Sequence, residues 1–288
     1  MNEKIKGSLL VVVAALIWGT VGTATRFAGN VDAINIGVYR TFFAVVATFI
    51  IILFSKRISE IIPKKKIPYL VLLGIFIALL VAFLAMSIKV STIANAILLF
   101  YTAPIFATFF SRIFLKENIK RESFISLILC IVGIVFISGN DFDANLWLGI
   151  VFGLIAGVSY AAQMTIGRYL KEYPCLLTTF WMNLIALLLL LPFANPLSVQ
   201  FDKIPILIYM GIALSAVAPF LFFEGVRHIK TQDAGVITML DPLTNIILGI
   251  LIFSEIPSLL TGLGGTLILS AVLLQIFSSS VSKLFRKI

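Results

Sequence analysis

The sequence predicts an all-α integral membrane protein of ten transmembrane helices, arranged as two inverted five-helix repeats. Three observations predict it. The 288-residue chain is 60% hydrophobic and only 12% charged, where a soluble domain carries about a quarter charged residues. The apolar residues fall into ten runs, each close to the ~20 residues a helix needs to cross the hydrocarbon core. The second half repeats the first: Gly7 and Arg26 are matched by Gly149 and Arg168, 142 positions on. Pro68, Gly74 and Phe83 are matched by Pro205, Gly211 and Phe220 at 137, and Pro104 and Glu117 by Pro242 and Glu255 at 138. Five is odd, so the second set of helices enters the membrane in the opposite direction. Inverted repeats of this kind build secondary transporters, with the substrate site near mid-bilayer between the halves.

In order, the spans read as 8–27, 34–54, 68–88, 93–115, 123–139, 146–169, 175–192, 205–227, 234–254 and 258–278. Helix is required because backbone groups in lipid must bond within their own segment. A β-barrel would alternate apolar and polar residues, and these runs are continuously apolar. The repeats divide at 1–140 and 141–288, which leaves short loops and no soluble domain.

The loops orient the chain. With the N-terminus inside, internal loops hold 18 of the 22 basic residues and external loops hold three, Arg26, Lys89 and Lys203. That bias places both termini in the cytoplasm of a multi-pass plasma-membrane protein. It also explains the net charge of +9 without a nucleic-acid partner, since the basic residues are scattered over several short loops. Lys4 and Lys6 before an apolar run resemble a signal peptide, but no small-residue cleavage site follows, so an uncleaved first span is expected. Cys130 and Cys175 suggest neither a disulfide nor a metal site, and His228 reads as an interfacial residue. No cofactor is expected. The expected partners are a small-molecule substrate and the lipid bilayer, with a second copy of the chain kept as a candidate.

Several motifs carry a family resemblance. They are Trp18-Gly19, Tyr39-Arg40, and Ala103-Pro104 with Phe114-Leu115-Lys116-Glu117, the last two matched in the second half by Asp241-Pro242 and Ile252-Phe253-Ser254-Glu255. With the ten spans and the inverted repeat, the chain resembles an EamA-type member of the drug/metabolite transporter superfamily over nearly its whole length. The repeats depart from each other where Ser159-Tyr160 faces Ile17-Trp18 and Met182 faces Arg40. The resemblance implies a carrier of small metabolites, amino acids among them, often directed outward. It also implies a cavity ringed by helices one to four and six to nine, with five and ten at the periphery.

Charged side chains within spans are costly and are read as functional by default. Arg40 has a planar fork that suits a carboxylate or phosphate; the competing reading is an arginine that snorkels or ties two helices. Asp241 precedes Pro242, which cannot donate to the carbonyl of Thr238, so the helix should kink there and open polar backbone. Pro104 should do the same beside Tyr101. Asp241 then binds a cationic group, carries a coupling proton, or braces the kink. Trp18, Tyr101, Tyr160, Gln163, Trp181, Asn183 and Asn245 supply rings and amides for an amphipathic solute, although Trp and Tyr also favour interfaces. Gly153, Ala156 and Gly157 read as close helix packing. Glu224 with Arg227 reads as an i,i+3 pair, Glu117 and Glu255 as fixing helix ends, and Arg26 and Lys89 as interfacial anchors.

The function expected is a secondary transporter of small metabolites working by alternating access. The alternative is a membrane-embedded enzyme or a flippase for lipid-linked substrates. An enzyme needs a nucleophile, base or metal cluster, and the sequence shows one His, no metal-spaced Cys pair and no Walker A motif. A channel would need a ring of like charges or a carbonyl filter.

Overall fold

The computed structural model describes residues 3–55, 61, 66–115, 121–138, 144–170, 173–225, 228, 237–238 and 240–285. Among these there is no strand. The helices in chain order are α1 (Glu3–Trp18), α2 (Val21–Phe27), α3 (Ala33–Phe54), α4 (Ile67–Val90), α5 (Ile93–Phe100) and α6 (Ala103–Leu115). Then follow α7 (Arg121–Ser138), α8 (Ala144–Tyr169), α9 (Cys175–Leu190), α10 (Ile204–Tyr209), a π-helical stretch Met210–Val217, α11 (Ala218–Gly225), α12 (Leu240–Phe253) and α13 (Leu259–Phe285). Among the described residues, seven helical segments are long and apolar enough to cross a membrane, with shorter apolar helices at Leu240–Phe253 and Leu259–Ala271. Large apolar side chains such as Ile113, Val135 and Leu251 are more than 60% exposed, a surface that suits lipid and not water.

Local sequence sets the helix starts. Asp32 caps α3 by accepting from the Ile34 N–H at 2.9 Å, and Thr92 caps α5 by accepting from the Asn95 N–H at 3.1 Å. Pro68 and Pro205 lie in first turns, where a missing N–H costs nothing.

The helices α3 and α4 pack along α9, α4 also packs along α8, α1 packs on α11, and α5 lies between α8 and α12. To one side, α7 and α13 pack on each other. Small residues permit the closest approaches. A Cβ on Gly157 of α8 would lie 3.1 Å from the carbonyl oxygens of both Leu99 and Phe100, so α8 rides directly on the backbone at the end of α5.

Four of the apolar runs are irregular. The expected breaks at the two proline motifs are present: α5 ends at Phe100 and α6 begins at Ala103, and a turn at Thr238 precedes α12. Two others were not expected. The first span is interrupted at Gly19–Thr20, and the eighth carries the π stretch. In that stretch the Ala218 N–H reaches back to the Ala213 carbonyl. The next donor would be Pro219, which has none, so the Leu214 carbonyl lacks a backbone partner. The π geometry thus sits directly ahead of a proline, a usual cause of such distortions.

The end residues do more than anchor. The Arg26 Nε donates to Glu255 Oε1 at 2.7 Å and its Nη2 to the Ser91 carbonyl at 2.6 Å. Glu255 also accepts from the Ile93 N–H at 2.8 Å, so it closes the start of α5. Lys89 donates to the Gly29 carbonyl. His228 pairs with Glu3 at 2.8 Å and lies 3.7 Å from Glu224, and so ties α1 to the end of α11. Glu117, Arg227 and the loop 139–143 lie outside the described residues.

Candidate substrate cavity

Buried backbone that is not bonded within its helix must find a partner elsewhere. Three of the irregularities do so by recruiting a side chain, and these side chains line a central cavity or stand directly behind its wall. The Leu214 carbonyl freed by Pro219 accepts the Trp18 indole N–H at 3.1 Å. The Thr238 carbonyl, denied a donor by Pro242, accepts from the Asp241 N–H at 3.1 Å and from the Tyr101 hydroxyl at 3.2 Å.

The third case is Asn245. In a regular helix the Gly22 N–H would donate to the Trp18 carbonyl four residues back. Here the Gly22 N–H donates to Asn245 Oδ1 at 2.8 Å, and Asn245 Nδ2 donates to the Trp18 carbonyl at 3.3 Å. The amide of α12 is spliced into the gap between α1 and α2 and replaces the missing bond. Gly22 has no Cβ because there is no room: one would lie 2.9 Å from Asn245 Oδ1 and 2.4 Å from Ile93.

Asn245 also holds Asp241, donating to Oδ1 at 2.7 Å, while the Tyr101 hydroxyl donates to Oδ2 at 2.6 Å. The carboxylate is 5% exposed and Asn245 is fully buried. Asp241 has no ion-pair partner among the described residues.

The cavity encloses about 670 Å³, its open end included. Its polar lining comes from Trp18, Arg40, Tyr160, Gln163, Asn183, Ser215 and Asp241, and its apolar lining includes Val21, Ile77, Leu80, Leu84, Ile97, Phe100 and Met182. Every helix from α1 to α5 contributes, as do α8, α9, α11, α12 and the π stretch; α7 and α13 do not. Tyr160 stacks on Phe100 with ring centres 5.0 Å apart. Arg40 is 8% exposed and donates from Nε to Ser215 Oγ at 2.6 Å. Asn183 is held by the carbonyls of Thr179 at 2.8 Å and Ser215 at 3.4 Å.

Of the nine residues singled out from the sequence, six line the cavity: Trp18, Arg40, Tyr160, Gln163, Asn183 and Asp241. Tyr101 and Asn245 stand one layer behind, as partners of Asp241. Trp181 lies elsewhere, its indole N–H bonded to the Ile61 carbonyl at 2.7 Å. Ser215 and Pro219 were missed; a proline inside an apolar run was the available signal for both. The apolar liners carry no signal, since they look like any residue of a membrane helix. Among the described residues, no group of three or more His, Cys, Asp or Glu could hold a metal ion.

Comparison with known proteins agrees over nearly the whole chain. The EamA-like transporter family matches residues 5–139 and 147–277. An uncharacterized transporter of Archaeoglobus fulgidus is 27% identical over 273 residues, 93% of this chain and 95% of that protein. The uncharacterized transporter YwfM of Bacillus subtilis is 24% identical over 274 residues, 92% of each. The pseudopaline exporter CntI of Pseudomonas aeruginosa is 24% identical over 272 residues, 92% of this chain and 94% of that one. A solved structure with a TM-score of 0.67 and 15% identity covers 94% of this chain and 97% of its own, and so shares the fold. The helices, their apolar surfaces and the match across both halves give one result: the chain belongs to the EamA-like transporter family.

Proposed function

We propose that the protein is a secondary carrier that exports small amphipathic metabolites by alternating access around this cavity. Its two five-helix units, 1–140 and 141–288, rock about the site in opposite orientations within ten spans. The observation that carries the reading is the composition of the cavity. A guanidinium and a carboxylate, each buried and without an ion-pair partner among the described residues, face one space between the halves. Buried charges are expensive, and in membrane segments they mark solute or ion pathways. Outward direction is supported by the similarity to a pseudopaline exporter.

Proteoliposomes loaded with labelled amino acids and carboxylic acids test the reading. At least one solute should leave saturably, and an excess of the same unlabelled solute outside should accelerate its exit by exchange. No saturable flux and no exchange for any solute would reject the carrier.

The proposed orientation has both termini in the cytoplasm. In a background lacking Cys130 and Cys175, Asn145→Cys should react with a membrane-impermeant thiol reagent in intact cells, and Lys65→Cys should not. The reverse labelling would overturn the orientation.

A further inference from the structure

Most polar groups of the cavity wall are already satisfied by the protein. Trp18 bonds to Leu214, Asn183 to Thr179 and Ser215, and both oxygens of Asp241 receive donors. What remains unsatisfied is specific. Arg40 uses only Nε, and among the described residues its two Nη groups have no hydrogen-bond partner and no carboxylate within ion-pair distance. Gln163 Oε1 is buried with no partner. Tyr160 lies one helical turn before Gln163 on α8, and its hydroxyl has no partner among the described residues. The rest of the wall is apolar and aromatic.

From these groups, we propose that the cargo is a small amphipathic carboxylate that carries a hydrogen-bond donor beside its acid group. The acid lies on the terminal nitrogens of Arg40, the donor on Gln163 Oε1, and the apolar body on Phe100, Tyr160 and the leucines of α4. The fork of Arg40 presents parallel N–H groups, the pattern a planar carboxylate accepts. An unpaired buried guanidinium and an unpaired buried amide oxygen each cost free energy that a matching solute recovers. A cationic amine has no such place, because the Asp241 oxygens already hold the Tyr101 and Asn245 donors and Arg40 repels it. The inference rests on the carrier reading only in taking the cavity as the cargo site.

Three solutes with one apolar body test it: 3-phenyllactate, 3-phenylpropanoate and 2-phenylethylamine. Binding to the purified full chain in detergent is measured by thermal stabilisation, which rises with ligand concentration over Kd and requires no flux. The two acids should bind at least about tenfold more tightly than the amine, as expected for a charge-assisted pair. The hydroxy acid should exceed 3-phenylpropanoate by about threefold or more, and Gln163→Met should erase that difference. Arg40→Gln should remove the preference for acids; if that variant does not fold, the wild-type order of acid over amine decides alone. An amine that binds as well as the acids, or a hydroxyl advantage that survives Gln163→Met, would overturn the proposal. Binding in this order without flux would reject the carrier and leave the site standing; flux of a solute outside this class would do the opposite.

Discussion

Asp241→Asn carrier folds and inserts like the wild type but loses uphill transport, by about tenfold or more in rate. The geometry separates the two properties. Asn245 can still donate to the remaining oxygen at position 241, and the new amide can donate to the Tyr101 hydroxyl. That hydroxyl, whose one proton Asp241 and the Thr238 carbonyl now share, then donates to the carbonyl alone, 3.2 Å away. The hydrogen-bond count is kept, so apparent thermal stability in detergent should change by less than about 1 kcal/mol. The charge and the ability to titrate are lost. Asp241 faces Tyr101 from α5–α6, Asn245 from its own helix, and the cavity that Arg40 and Tyr160 also line. We read it as the coupling-proton site, the usual use of a buried membrane carboxylate that faces a cavity. A pH gradient should therefore drive transport by the wild type and not by the Asn variant. If Asp241→Asn transports normally with the same gradient dependence, the carboxylate only braces the helix.

Asn245→Leu has the opposite profile: stability and transport fall together. Leucine keeps the branched shape with bulkier methyl ends and leaves the Gly22 N–H, the Trp18 carbonyl and one Asp241 oxygen without their present partner. Each buried orphan costs about 1–3 kcal/mol, and no lipid or solvent group replaces it in this layer. A total loss of about 3 kcal/mol or more is expected in reversible unfolding in mixed detergent. Asn245→Asp should not rescue it, since a carboxylate cannot donate to Trp18 and would face Asp241 with a like charge. A leucine variant as stable as the wild type would show that the splice contributes nothing to the fold.

Much of this architecture was legible because the membrane simplifies the chemistry. Apolar runs mark helices, and a proline inside a run marks a break, as at Pro104 and Pro242. A charge inside a run has few innocent uses, which is why Arg40 and Asp241 stood out. The interruption at Gly19–Thr20 was not legible. Nothing local distinguishes that glycine from those that merely let helices approach, and the residue that stabilises the break lies 223 positions from Gly22. Trp18, deep in its span, was the better candidate on paper, and Trp181 already had an interfacial reading. One indole serves a carbonyl on the cavity wall and the other serves Ile61, a difference decided by which backbone each helix meets. Arg26 and Glu255 read as separate end residues because their pairing needs the two halves brought together.

The splice also has a consequence for inheritance. A broken first helix without the amide strands a donor and an acceptor, and the amide without a break strands itself. Either change alone destabilises the fold, so position 245 and the backbone at 18–22 are expected to be inherited together. The chain contains its own second copy of the experiment. In the register that pairs Pro104 with Pro242, the counterpart of Asn245 is Ala107. The counterpart of residues 18–22 is 160–164, and there the helix α8 runs without interruption. One half has both the break and its amide, and in the matched positions the other has neither.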